Sequence, residues 1–343
     1  MRIGIPREVK DGEFRVALSP RAVRGLSVVV EPGAGAGVGF SDEEYRDAGA
    51  TLGDPWQCEL VVKVKELQAP EYSRPRPGQI VFGFQHFGPD RELLDAALAS
   101  GATFIAFETV GQSAGLPILS PMSAIAGRLS VQMGAWCLLK QNGGSGVLLP
   151  GLHGVPPGKV VIIGAGNVGS NALAVAHGIG ASVTVHARSS TRFAALRSLH
   201  PGAQFTTSRP EIRDADLVIA GVLTPGQMSP KLITRAMLRE MRPGSAFVDV
   251  GIDQGGVAET SRPTSHSSPI FVEEGVVHYC VPNMPAACAR TASLALEAAV
   301  LPFIGKILSR EKSADLASGI QVKGGKVTHE QLARDTGRAY SRL

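Results

Sequence analysis

Short apolar runs alternate along the chain with stretches whose apolar positions recur at helical spacing. That pattern predicts strands buried on both faces and helices covering them, and so βαβ units around parallel sheets. Two such regions separate. In residues 1–118 the runs at 2–5, 27–30, 60–64, 79–84 and 103–106 read as strands. Helices are expected after Ser19-Pro20, where Ser caps and Pro suits the first turn, and after Ser41, where Asp42-Glu43-Glu44 suits the positive end of a helix dipole.

The second region follows the linker-like stretches 143–146 and 151–158, with strands expected at 159–163, 182–186, 217–220 and 246–250. Residues 122–140 are apolar at helical spacing and lack Pro, which predicts a long helix joining the halves. A last helix near 291–308 returns the chain to the first region. Residues 324–343, with Gly324-Gly325 and scattered charges, read as a solvated end. No internal repeat is visible.

At 343 residues the chain has room for about two domains, each with a substantial core. A hydrophobic fraction of 44% with 19% charged residues excludes disorder and coiled coil. The 34 basic and 30 acidic residues leave +4, with no block of like charge suited to a phosphate backbone, so no nucleic-acid partner is expected. Charge meets the N-terminus at once, and no uncharged apolar stretch is long enough to span a bilayer, so no membrane association is expected and the chain reads as cytoplasmic. Cys58, Cys137, Cys280 and Cys288 show no CxxC spacing and read as four buried thiols. No metal site is expected.

The run 160–163 leads into Gly164-Ala165-Gly166-Asn167-Val168-Gly169 and then a helix-like stretch. A bare GxGxxG is weak, but strand before and helix after are the context a dinucleotide loop requires. Gly164 permits the tight turn, Gly166 lets a pyrophosphate approach the backbone, and Gly169 lets helix and strand pack closely. An NAD site places Asp or Glu about 20 residues beyond the glycines. Here Ala187 holds that place, and no Asp or Glu occurs between Ala165 and Pro210. Arg188, Ser189 and Arg192 match a 2′-phosphate instead, so NADP(H) is favoured over NAD(H).

Asp253, in Asp249-Val250-Gly251-Ile252-Asp253-Gln254-Gly255-Gly256, follows a strand of the same region, where acids face the ligand crevice. On spacing alone it is equally a turn residue beside Gly255. Lys63 and Lys65, at period two, fall on one face of a strand, and His86 ends the apolar run 80–84. Alone, each reads as structural more readily than catalytic.

Together, Gly4-Ile5-Pro6-Arg7-Glu8, Glu13-Phe14-Arg15-Val16-Ala17, Lys63-Val64-Lys65-Glu66, Phe84-Gln85-His86, Phe107-Glu108-Thr109-Val110, Pro121-Met122-Ser123, the Asp249 to Gly256 block and Asn283-Met284-Pro285-Ala286 resemble the alanine dehydrogenases, in order and spacing, from residue 1 to about residue 305. The resemblance implies an α/β subunit of two domains: a discontinuous substrate domain, 1–120 and 288–343, and a Rossmann dinucleotide-binding domain, 121–287. It also implies a homo-oligomer, usually a hexamer. It implies further that Arg15 and Lys65 bind a small 2-oxo acid, that His86 is the acid/base and that Asp253 assists at the substrate carbon. Ser123, Val222, Leu223, Ile252 and Asn283 fall where the family touches cofactor or substrate.

The chemistry asks for such groups. A cation must hold the carboxylate, an imidazole suits proton transfer near neutrality as ammonia adds and water leaves, and hydride comes from a nicotinamide. The chain departs from the family at Ala187-Arg188, in the shorter segment 21–30, at Gln85 and Phe87 around His86, and at Gly111-Gln112-Ser113. These departures suggest an NADPH-driven biosynthetic relative acting on a substrate other than pyruvate. Two rival readings use the same scaffold: an NADPH-dependent imine reductase, and a transhydrogenase-like nucleotide-binding module.

Overall fold

The computed structural model describes residues 1–111, 115–222 and 228–343. The chain divides into two compact units, Met1–Met122 with Cys288–Leu343, and Ser123–Ala287. The first begins with β1 (Ile3–Ile5), β2 (Val28–Val30), α1 (Asp42–Asp47), β3 (Thr51–Leu52), β4 (Leu60–Val62), β5 (Ile80–Gly83), α2 (Arg91–Ser100) and β6 (Thr103–Ala106). Its strands are parallel and lie in the order β6-β5-β4-β1-β2-β3. Leu60, Val61 and Val62 are wholly buried, each contributing about 1.5–3 kcal/mol by leaving water.

Local chemistry sets the helix ends. Ser41 Oγ accepts from Glu44 N at 3.2 Å while the Glu44 carboxylate accepts from Ser41 N at 2.7 Å, so α1 opens with a reciprocal cap. The expected helix after Ser19-Pro20 does not form: residues 20–26 are turns, with Gly25 at φ 78°. Ala22 N and Val23 N donate to Ser19 O at 3.0 and 3.3 Å, a single turn that goes no further before Gly25 reverses the chain toward β2.

Helix α3 (Leu119–Cys137) leads into the second unit. There follow β7 (Lys159–Ile163), α4 (Asn167–Gly178), β8 (Ser182–His186), α5 (Phe193–Leu199), β9 (Gln204–Thr206), β10 (Leu217–Ala220), α6 (Arg235–Arg239), β11 (Ala246–Asp249), β12 (Ile270–Glu273) and β13 (Val276–Tyr279). The sheet order is β12-β13-β11-β10-β7-β8-β9, parallel except for β12. Chain direction across the sheet reverses between β7 and β10, the switch point where doubly wound sheets take ligands. Helix α3 crosses α4 almost backbone to backbone, for a Cβ on Gly127 would stand 2.2 Å from the Val168 carbonyl oxygen.

The chain then returns to the first unit through α7 (Ala289–Leu308), α8 (Ala314–Gly319), β14 (Ile320–Lys323), β15 (Lys326–Val327) and α9 (Glu330–Thr336). Helix α7 is long and apolar enough to cross a membrane, yet it carries Arg290, Glu297 and Lys306 and buries Leu296, Val300 and Ile304 within its unit. It is a core helix. The expected solvated end is corrected here. Gly324 and Gly325, at φ 58° and 76°, turn a hairpin whose β14 pairs with β6, and Val327, Leu332 and Ala333 join the core around Trp56 and Phe104. The thiols are likewise corrected: Cys58, Cys137 and Cys280 are buried, but Cys288 is only half-buried.

Gly127→Ala should force α3 from α4 and destabilise the second unit by about 1–3 kcal/mol, read as a lower urea midpoint. An unchanged midpoint would mean that the helices separate without penalty.

Candidate active site

The first cluster grows from the ends of β1, β4 and β5. Beyond Val62 the backbone still bonds to the segment of β5, Lys63 N to Phe82 O and Phe84 N to Val64 O at 3.1 Å each, but it bends at 64–65, so Lys63 and Lys65 do not share a strand face as expected. Lys63 is sealed inside, its Nζ 2.9 Å from Glu71 and 3.4 Å from Glu8. Burial presses its ammonium down, but the two carboxylates outweigh this and hold its pKa above the usual value. Glu8 also accepts from Val64 N at 2.6 Å and Lys65 N at 3.3 Å. This brace directs Lys65 elsewhere: its Nζ lies 3.2 Å from His86 Nε2.

An ammonium only donates, so that contact uses a neutral imidazole with its lone pair on Nε2. His86 sits at φ 48°, a left-handed conformation rare for any residue but glycine, and the Glu108 carboxylate holds it there by accepting from His86 N at 2.8 Å and Gln85 N at 3.1 Å. The ring stacks on Phe84 with centroids 5.8 Å apart, and its side chain keeps 44% exposure. Glu66 closes the cluster, 3.5 Å from Lys65 and 3.9 Å from His86, with Lys10 also paired to it. Arg15, 2% exposed, is gripped by Glu13 through Nε at 2.6 Å and Nη2 at 2.5 Å, while Nη1 meets Met122 Sδ at 3.2 Å.

The second unit carries the glycine loop. Gly164 has φ 110°, and a Cβ there would meet the Gly221 carbonyl at 2.6 Å. A Cβ on Gly169 would stand 1.8 Å from the Gly164 oxygen, so strand-to-helix packing admits nothing larger. Gly166 is different: its Cβ would meet nothing within 4 Å. It stands before the α4 N-terminus with open space where a phosphate would approach, and Asn167, Val168 and Gly169 form the first turn. These residues fit a dinucleotide.

After β8 come half-buried Ala187 and exposed Arg188, Ser189 and Ser190. Arg192 Nη1 donates to Ala165 O at 2.8 Å, which brings that guanidinium to the glycine loop. Ser189 Oγ lies 2.6 Å from Thr191 Oγ1. Ser123 is half-buried on α3, and Val222 follows β10, its carbonyl accepting from Ser229 Oγ at 3.4 Å. Leu223, Gln112 and Ser113 lie outside the described residues.

Asp253 is exposed in a short turn beyond β11, next to buried Ile252, and its carboxylate accepts from Asn283 N at 3.4 Å. Two residues to which the sequence assigned no role fix this loop. Asp249, wholly buried, accepts from Gly251 N at 3.0 Å, Val257 N at 2.7 Å and Ser261 Oγ at 2.5 Å, and burial pushes its carboxyl up. Lys231 Nζ donates to the carbonyls of Gly255, Gly256 and Ala258 at 2.6, 2.9 and 3.0 Å. Glu13, Glu66 and Glu108 are similar omissions. They stand inside recognisable blocks, but only the fold shows what they hold.

Residues 4–126 match the family model described as alanine dehydrogenase/PNT, N-terminal domain, and residues 130–330 match its C-terminal counterpart. The chain belongs to the alanine dehydrogenase/PNT family. Similar members include the alanine dehydrogenase of Halomonas elongata, 46% identical over 99% of this chain and 98% of its own length. That of Bacillus subtilis is 43% identical over 99% and 96%. A solved L-alanine dehydrogenase of the family aligns with TM-score 0.94 at 42% identity, covering 98% of this chain and 99% of its own. A transhydrogenase from Sinorhizobium meliloti aligns with TM-score 0.85 at 28% identity, covering 96% and 99%. The α/β architecture of two domains is that of the alanine dehydrogenase/PNT family.

Gly166→Ala separates folding from binding. Its φ of −75° and open surroundings accept a methyl, so stability should change by less than about 1 kcal/mol. Nicotinamide dinucleotide affinity should fall at least ~10-fold by fluorescence titration, about 1.4 kcal/mol. Undiminished binding would remove the loop from the cofactor site.

Proposed function

We propose that the protein is an amino-acid dehydrogenase of the alanine dehydrogenase type, an oxidoreductase acting on CH–NH2 donors. It interconverts pyruvate or a near homologue, with ammonia, and the L-amino acid. The observation that carries this reading is the Lys65–His86 contact at 3.2 Å, in a chain related over nearly its whole length to alanine dehydrogenases. We further assign NADP(H) over NAD(H), a cytoplasmic location and a homo-oligomeric, hexameric assembly.

The residues divide the work. Lys65 donates to the carbonyl oxygen of the 2-oxo acid and stabilises the negative charge that develops there. His86, neutral on Nε2 and partly exposed, takes and returns protons as ammonia adds and water leaves. Arg15 serves the substrate carboxylate as a fixed guanidinium whose Nε and Nη2 edge is already held by Glu13. Asp253, ordered through Asn283, holds the nitrogen of the carbinolamine and imine. The nicotinamide, when bound, supplies or accepts the hydride, and the glycine loop orients it.

The cofactor preference rests on the segment after β8. No carboxylate is present to accept from ribose hydroxyls, while Arg188, Ser189 and Arg192 supply donors suited to a phosphate. A transhydrogenase-like module has no use for the Lys65–His86 pair, so the dehydrogenase reading is preferred.

The test follows nicotinamide absorbance with pyruvate and its homologues, with and without ammonium, using NADPH and NADH. Ammonium-dependent oxidation favouring NADPH is expected. Oxidation of NADPH without ammonium would be reduction of the carbonyl to a hydroxy acid and would overturn the amination, preference for NADH would overturn the cofactor assignment, and silence across the panel with NADPH still binding would overturn the dehydrogenase reading in favour of the imine reductase. Arg188→Ala with Ser189→Ala should raise the KM for NADPH by about 2–3 kcal/mol while sparing NADH. His86→Ala should lower kcat at least ~100-fold with NADPH affinity nearly unchanged.

A further inference from the structure

Glu66 is a carboxylate that the reaction as derived leaves without a task. Its side chain is 9% exposed, and Oε2 is buried with no hydrogen-bond partner. That atom faces the Lys65 ammonium instead, with Nζ at 3.5 Å, and the His86 imidazole, with Nε2 at 3.9 Å. Oε1 pairs with Lys10, whose side chain is 37% exposed. Glu108 is a second carboxylate beside His86, accepting from its backbone N at 2.8 Å. Lys63 Nζ reaches only the Glu66 carbonyl, at 3.3 Å, and is itself neutralised by Glu8 and Glu71. Gln68 Nε2 donates to the same carbonyl at 3.1 Å, and the Tyr72 hydroxyl stands farther off and feels Glu66 as a weak negative charge.

A neutral imidazole 3.2 Å from an ammonium is stable as it stands, but the acid/base role requires that imidazole to take a proton. Two positive charges would then face each other at that distance inside a half-buried cluster, which opposes protonation. We propose that Glu66 is the positioning residue that lets His86 become an imidazolium beside the Lys65 ammonium, its unpartnered Oε2 serving as the shared counter-ion of the pair. The idea rests on the dehydrogenase reading for its purpose, but not for its test. Burial raises the Glu66 carboxyl, while Lys65, His86 and Lys10 outweigh this and bring it down to about 2, so the counter-ion is charged at any working pH.

The sign is fixed by the geometry. Removing the carboxylate lowers the His86 midpoint, and removing Lys10, which competes for the same carboxylate, raises it. Full-length protein carrying 13C-labelled histidine is titrated by NMR without substrate or cofactor, with the His86 signal among the eight histidines identified by its loss in His86→Asn. Glu66→Gln should lower the midpoint by about 1–2 units, and Lys10→Met, a surface change that leaves the core intact, should raise it by about half a unit. The His86 limb of the kcat profile should move by the same amounts, with the KM for NADPH unchanged. An unmoved His86 midpoint in Glu66→Gln, or one lowered in Lys10→Met, overturns the proposal. If Glu66→Gln does not fold, Lys10→Met alone decides. A wild-type protein silent toward 2-oxo acids would overturn the dehydrogenase reading and leave the midpoints to judge Glu66.

Discussion

Lys63 carries a positive charge that has lost its water, and the first unit is arranged so that this charge never lacks a partner. Glu8 comes from the segment after β1, Glu71 from a short turn beyond β4, and the Glu66 carbonyl adds a third acceptor. Removing one member would leave an uncompensated ion inside, which in buried pairs costs about 3–5 kcal/mol, so the three segments are kept in register. Burial raises the Glu8 carboxyl, and it remains an acceptor because Lys63 and two backbone N–H groups converge on it. The direction of Lys65 is a by-product of that arrangement. A residue that touches no substrate aims one that is proposed to.

The second unit solves a similar problem by similar means. The turn that bears Asp253 contains Gly255 and Gly256, both at positive φ, and such backbone does not hold its own shape. Asp249 collects its N–H groups from one side and Lys231 its carbonyls from the other. Both units thus place an exposed or half-exposed group proposed to take part in the reaction on a loop, and anchor that loop with a charged group engaged with backbone, with hydroxyls or with other charges. Preorganisation of this kind keeps the reactive group from spending binding energy on its own ordering.

Much of this was legible in the residues, and for identifiable reasons. Strands at 103–106, 159–163 and 217–220 match to the residue because parallel strands covered on both faces leave apolar runs, and 182–186 matches through its β-branched Val-Thr-Val alternation. The glycine loop was legible because each glycine answers a separate steric demand. The edges were not. The hairpin of β12 and β13 turns on Glu274-Gly275, a dipeptide that advertises a turn less strongly than Asn-Gly, and Gly324-Gly325 lies between lysines that look solvated. The helix expected after Ser19-Pro20 had a good cap but makes a single turn before Gly25 at φ 78°. The acids at 13, 66 and 108 were hidden for another reason, since a carboxylate acquires its role from partners distant in sequence.

The first unit is written in two instalments, with the whole of the second between them. Its sheet gains β14 and β15 only after more than 200 further residues have been made, counted from the end of β6 at Ala106 to Ile320. Until then β6 presents an open edge, and the apolar faces that α7 and α9 will cover are bare. Residues 123–287 hold all of their own sheet partners and can fold first, as an inserted body. During synthesis, therefore, the half proposed to bind the nucleotide can be finished while the half proposed to hold the 2-oxo acid is still an exposed β-sheet, and the vulnerable interval for misassociation belongs to the earliest residues of the chain.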